Sequence, residues 1–283
     1  MQNKCSTFLF PDKDIKLSVV QLRLNACRSS GPSAEIDTDS NHLIGELTAA
    51  NILLSCSIKH QGSVTLQISG NGPVSLVFSE CDNNGFYRSL IKKNSNYIDK
   101  IQSDCTFDEL IGTNKTAIFS ATIKFNDRKR NPYQGIVEIN SAGLSESIES
   151  YLNKSEQIPS FLRLYSSGNW VKGFLLQALP TVTDSGEKNS LNQMKLSLGS
   201  IKKNKFFEKD IEDFFMKTHI EYNLIRTKTM TPRFRCTCTR KKLLESLSEI
   251  LKKELGQKRR ESIAVECEFC GKVYSFTEIE ILS

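Results

Sequence analysis

Four cysteines near the end of the chain carry the clearest chemistry. They form two close pairs, Cys236-Thr-Cys238 and Cys267-Glu-Phe-Cys270, with 28 residues between them. Thiolates at that spacing are metal ligands: each pair is a local chelate, and the intervening chain closes the ring. Zn²⁺ takes four such thiolates in a closed tetrahedron, with Zn–S bonds of about 2.3 Å. The three histidines, His42, His60 and His219, lie elsewhere in the chain. Four sulfurs leave no open position for an activated water, which argues against hydrolytic zinc chemistry. Four thiolates around a dication carry excess negative charge. Arg233, Arg235, Arg240, Lys241, Lys242 and Lys272 flank the pairs. Cations near thiols offset that charge and favour the thiolate.

One intervening residue in Cys236-Thr-Cys238 is tighter than the two to four of ordinary zinc ribbons. Two readings stay open on spacing alone. In one, the site staples the terminus. In the other, both pairs oxidise reversibly, which destroys the ligands and with them the structure that the metal supports. The chain has nine cysteines. Cys5, Cys27, Cys56, Cys81 and Cys105 are scattered through a long cysteine-poor body, and they read as buried small hydrophobes or idle thiols. A secreted disulfide framework is short and cysteine-dense throughout, so the pattern fits a reducing compartment.

The pairs need elements to hold them. Between them, Leu243, Leu244, Leu247, Ile250, Leu251 and Leu255 fall on one side of a helix over 240–255, with Gly256 as its stop. The whole tail, 232–283, is too short to bury a self-sufficient core, so metal must supply much of its folding free energy. Before it, 181–231 reads as a linker. Thr181 to Asn204 is rich in Ser, Asn, Lys and Gly, and Lys205 to Asn223 forms an amphipathic helix with Phe207, Ile211, Phe214, Phe215 and Tyr222. A lone helix of this length is marginal in water and must dock.

Residues 1–180 read as one α+β core domain. A largely buried helix is expected over Asn41 to Lys59, with Leu43, Leu47, Leu54 and Ile58 on one side and Ile44, Ala49 and Leu53 on the other. Val64, Leu66 and Ile68, the turn Gly70-Asn-Gly-Pro73, then Val74, Leu76 and Phe78 spell a hairpin. Further strands are expected over Ala117 to Phe125, Tyr133 to Ile139, Phe161 to Tyr165 and Trp170 to Ala178, with a helix from a Ser145 cap to Lys154. The connections imply antiparallel sheets with packed helices.

Of 283 residues, 39 % are hydrophobic and 25 % charged, ordinary for a globular chain of about two domains. No apolar run is long enough for a membrane span, and Met1 to Phe10 lacks a secretory pattern. A cytoplasmic location is expected. The net charge of +6 sits mostly beyond residue 199, with 18 Lys and Arg against 13 Asp and Glu there. That excess admits an alternative reading as a zinc-ribbon nucleic-acid binder. The lack of aromatics interleaved with the basic residues counts against it.

Beyond single motifs, the chain resembles the heat shock protein 33 family, the 33 kDa chaperonins. Arg235-Cys-Thr-Cys-Thr-Arg240 with Glu266-Cys-Glu-Phe-Cys-Gly-Lys-Val-Tyr-Ser-Phe276 is similar to the family's zinc end. Leu43 to Leu54, Gly62 to Pro73, Tyr133 to Val137, Ser155 to Gln157 and Gly173 to Pro180 resemble its body in order. The linker, rich in Lys and Asn, departs from the family pattern. The resemblance implies a redox-regulated, ATP-independent holdase and no enzyme. It implies one Zn²⁺ per reduced chain on Cys236, Cys238, Cys267 and Cys270. On oxidation it implies Cys236–Cys238 and Cys267–Cys270 disulfides, zinc loss, dimerisation and binding of unfolding clients, without nucleotide, nucleic acid or membrane. It also raises Phe207, Ile211, Phe214 and Phe215 as a client-binding face.

Overall fold

The computed structural model describes residues 1–24, 37–57, 61–97, 105–112, 117–127, 129–139, 143–179, 187–218, 224–253 and 262–282. These form two compact units, one running through Phe234 and one from Arg235 onward.

The first unit opens with β1 (Lys4–Phe10), β2 (Ile15–Arg23), α1 (Thr38–Ser57), β3 (Gly62–Ser69), β4 (Val74–Asp82) and β5 (Phe86–Lys93). It continues with α2 (Phe107–Ile111), β6 (Ile118–Phe125), β7 (Tyr133–Glu138), α3 (Leu144–Lys154), β8 (Ser160–Ser167) and β9 (Trp170–Ala178). Three helices follow, α4 (Glu187–Gly199), α5 (Lys203–Phe207) and α6 (Ile211–Thr218), then β10 (Ile225–Met230) and the short β11 (Arg233–Phe234).

The strands form a five-stranded sheet, β10-β1-β2-β9-β8, and a six-stranded sheet, β11-β5-β4-β3-β6-β7. All pairings are antiparallel except β11 with β5. The α+β class expected from the sequence is what folds. Helix α1 packs against both sheets and is apolar all round; Leu43, Ile44, Leu47, Ala50, Leu53 and Leu54 are buried on it. Its polar residues are satisfied across the interface. The Asn51 amide donates to Ser79 O at 2.7 Å and Val64 O at 3.2 Å, and Thr48 bonds Ser89 at 2.6 Å. Those bonds fix the register of the helix on the six-stranded sheet.

The β3–β4 hairpin forms as expected, but Gly72 is needed for proximity rather than for its own dihedral freedom. A Cβ there would lie 2.6 Å from Gly112 N, Ile111 C and Leu110 O, the backbone at the end of α2. Gly72 N donates to Ile111 O at 2.8 Å. The predicted helix after residue 143 also forms, with a corrected start. Gly143, not Ser145, holds the N-cap position, and Ser145 is buried within the first turn.

The five-stranded sheet is buried on both faces. On β2, Val20 and Leu22 join the core around α1, while Ile15, Leu17 and Val19 face a second cluster. That second cluster is closed by Leu191, Met194, Leu198, Phe206, Ile211 and Phe215 from α4, α5 and α6. The stretch 181–204 reads in sequence as a polar linker. Its described part contains a 13-residue helix; of its four apolar residues, Leu191, Met194 and Leu198 are buried in the second cluster and Leu196 is exposed. The single helix expected over 205–223 is two. Asp210 breaks it by capping α6, its Oδ1 accepting from Glu212 N at 3.0 Å. Residues 219–223 of that expectation lie outside the described ones. Finally β10, expected in the linker, pairs with β1 as the sheet's edge, with Cys5 opposite Met230.

Candidate metal centre

Cys236 and Cys238 lie just after β11, in the extended segment leading to α7 (Arg240–Lys253). Thr239 starts that helix: its carbonyl accepts from Leu243 N at 3.1 Å and its Oγ1 from Lys242 N at 3.3 Å. Cys267 and Cys270 lie in the turn between β12 (Ser262–Glu266) and β13 (Val273–Thr277). Cys267 N donates to Lys272 O at 3.0 Å, and Cys267 O accepts from Cys270 N and Gly271 N at 3.2 and 2.8 Å. Gly271 takes φ +70°, which lets the turn close.

These two segments bring all four Sγ atoms within 4.8 Å of one another. Cys236 Sγ is 3.6 Å from Cys267 Sγ, and Cys238 Sγ is 3.5 Å from Cys270 Sγ. A tetrahedron with Zn–S bonds of about 2.3 Å has edges of about 3.8 Å, so the sulfurs already stand at coordinating separations. All four are free thiols. Among the described residues they are the one group of three or more potential ligands. The donor set fits a thiophilic divalent ion.

Their acidities are split. Burial works against ionising Cys238. The Tyr274 hydroxyl at 3.3 Å and the neighbouring thiols outweigh it, bringing Cys238 down to about 7. Burial and donation to its neighbours push Cys236 up to about 12, and burial raises Cys270. Tyr274, whose proton serves Cys238, is itself pushed up to about 12. A bound dication would draw the protons from Cys236 and Cys270 as well.

Little apolar matter supports this centre. Among the described residues of the unit, Cys267, Phe276 and Ile281 are the buried hydrophobics. Arg240 ties the pieces together, stacking over Phe276 at 4.4 Å and donating to Ser275 O and Glu280, both at 2.6 Å. Ser248 Oγ donates to Ile281 O at 2.7 Å, joining α7 to α8 (Glu278–Leu282). Lys242 Nζ donates to Thr237 O at 3.3 Å and Lys272 lies over Tyr274 at 5.0 Å. Of the basic residues flanking the pairs, Arg240, Lys242 and Lys272 brace the loops that carry the thiols. Tyr274 went unnoticed in the sequence; an aromatic hydroxyl four residues past the last cysteine was its signal. Gly256 and Leu255, like Cys27, His60 and His219, lie outside the described residues.

The aromatic stripe sits in the first unit. Ile211 and Phe215 are buried in the second cluster, whereas Phe207 and Phe214 are half-buried at its margin. Phe206, which sequence reasoning missed, is fully buried and stacks against Tyr165 and Phe174 at 5.1 and 5.7 Å.

A sequence profile of the Hsp33 protein family matches residues 3–277. A 33 kDa chaperonin of Aliivibrio fischeri is 30 % identical over 288 aligned positions, covering 99 % of this chain and 94 % of that one. One from Shewanella loihica is 28 % identical, covering 97 % and 92 %. The crystal structure of the Thermotoga maritima 33 kDa chaperonin superposes with a TM-score of 0.79 at 20 % identity, over 99 % of this chain and 97 % of that one.

Proposed function

This chain belongs to the Hsp33 family of chaperones, and from that premise we propose that it is a redox-switched, ATP-independent holdase of the cytoplasm. In the reduced chain, Cys236, Cys238, Cys267 and Cys270 hold one Zn²⁺, which supplies folding free energy to a unit with almost no core of its own. The observation that carries the reading is the approach of the four thiols to within 4.8 Å where only three hydrophobic side chains are described as buried.

Peroxide takes two electrons from each pair and forms Cys236–Cys238 and Cys267–Cys270 disulfides. A disulfide sulfur is no longer a ligand, so oxidation removes both the site and the support it gives the C-terminal unit. Loss of that support loosens α4 to α6. Phe207, Ile211, Phe214 and Phe215 then become available with the sheet face beneath them, including Phe8, Phe10 and Phe174. An apolar surface of that kind binds unfolding chains and a second copy of the protein. No nucleotide takes part.

The test follows zinc release, with a chromogenic chelator, while reduced protein is treated with peroxide at mildly raised temperature. Light scattering of an unfolding client is read in the same samples. About one zinc per chain leaves as the client becomes protected, and reductant with zinc reverses both. Zinc retention, or release without protection, overturns the switch and leaves a plain staple.

A further inference from the structure

The sheet beneath α4 to α6 carries charge of one sign. Its strands, β10, β1, β2, β9 and β8, hold Lys and Arg but no Asp or Glu. Lys4 on β1, Lys172 on β9 and Arg226 on β10 meet the covering chain, and their partners come from it. Glu212 of α6 is 3 % exposed and pairs with both Lys4 and Arg226, its Oε1 lying 2.5 Å from Arg226 Nη2. Lys172 is fully buried; it donates to Lys209 O and lies 5.6 Å from the centre of the Phe207 ring. Gln21, its neighbour across β2 and β9, is also fully buried. It donates to Asp210 Oδ2 at 2.7 Å and accepts from Ile211 N at 3.2 Å.

The same segment supplies the apolar plug. Phe206, Ile211 and Phe215 pack into the cluster that holds Phe8 and Phe174, and Arg226 lies 5.9 Å from the centre of the Phe8 ring. Ile211, Glu212 and Phe215 are all buried on little more than one turn of α6, so acid and apolar groups arrive together. A buried ion pair that loses one member leaves an uncompensated charge, which is strongly unfavourable. An occupant of this face bringing only apolar side chains would seal Lys4 and Arg226 from water without an anion. A basic occupant would add repulsion. The sequence Asp210-Ile-Glu-Asp-Phe-Phe215 avoids both penalties.

We propose that the face beneath α6, once uncovered, selects client segments in which Asp or Glu stands within one helical turn of aromatic or branched aliphatic residues. Residues 210–215 are the internal occupant of that same chemical class. The inference rests on the proposed switch, which uncovers the face, and adds which chains the face prefers. Lys4 and Arg226 supply the preference, and the aromatic bed around Phe8 and Phe174 supplies the sequence-tolerant part of the binding. Selection works by rejection as well as attraction, because neutral and basic segments leave the cations unpaired. Attraction also speeds the encounter with acidic segments.

The experiment uses the full-length chain after peroxide treatment and three fluorescently labelled peptides, read by anisotropy. The first is the chain's own 203–218 sequence. The second carries Asp210→Asn and Glu212→Gln, and the third Asp210→Lys and Glu212→Lys. The first binds about tenfold more tightly than the second, the third binds most weakly, and the gaps narrow in high salt. Lys4→Gln combined with Arg226→Gln brings the three affinities together. Reduced Glu212→Lys, or Glu212→Gln should the lysine variant fold poorly, opens the face without oxidation and gives the same order. An oxidised chain that protects an unfolding client yet binds the three peptides alike overturns this inference and leaves the holdase reading standing. An oxidised chain that neither protects nor binds overturns the switch, and the reduced Glu212 variants then decide this inference by themselves: equal affinities, or no binding, overturn it.

Discussion

Tyr274 shows how much one hydroxyl decides at the centre. Its proton favours the Cys238 thiolate, and a hydrogen bond to a ligand supports metal affinity, so Tyr274→Phe loses zinc to a chromogenic chelator about tenfold more readily. Cys267 is the buried member of the set. Cys267→Ser abolishes tight zinc binding and makes the C-terminal unit protease-sensitive even in reductant; normal metal content with unchanged proteolysis would contradict the site. In the core, burial pushes Glu46 up to about 7 against the Ser166 hydroxyl at 2.8 Å. The unfolded chain gives up that proton near about 4.3. Between those values the unfolded state ionises first, so this group costs stability as pH rises through the window. Glu46→Gln accordingly raises the urea midpoint at pH 8 and leaves it unchanged at pH 4. That the four C-terminal thiols would converge was legible because thiol pairs announce themselves by spacing. Tyr274 was not, since only the folded register brings it to Cys238.

At the scale of elements, sequence legibility followed burial on one face or two. Strands β3, β4 and β6 alternate in sequence and were readable, as was α1 from the helical spacing of its apolar residues. Strand β2 is buried on both sides, so Val19 and Val20 break the alternation and hide it. Strand β10, Ile-Arg-Thr-Lys-Thr-Met, is a polar edge that only its partner β1 makes into a strand. Helix α4 has Leu191, Met194 and Leu198 at helical spacing, which the surrounding Lys and Asn obscured. Gly72→Ala forces a side chain into the backbone ending α2 and lowers the thermal midpoint; a circular dichroism melt measures it. Phe215→Ala empties a fully buried position against Phe174 and Phe206. It costs about 3–5 kcal/mol of local docking, seen as faster hydrogen exchange in α6 and dye binding by the reduced protein.

Over the whole molecule, stability is unevenly sourced. The first unit has two apolar clusters, and the second has three described buried hydrophobics and a metal-ligand set. Chelation of the reduced protein should make residues beyond 235 protease-sensitive while the first unit keeps its melting transition. The tail's small size already foretold that dependence. The sequence did not reveal that chain from the supposed linker completes the core sheet. Sheet order has one more consequence. The covering helices leave from β9 and return at β10, and both strands stay in the same sheet, three strand spacings or about 14 Å apart. Helices α4 to α6 thus belong to chain pinned at both ends, like a strap. Once lifted, it competes for its old seat at an effective concentration of order millimolar. Recapture would be first order and independent of protein dilution, so under the proposed switch a client on the sheet would have to hold it more tightly than that internal rival, and would be evicted by its own refolding as soon as its apolar contacts weakened.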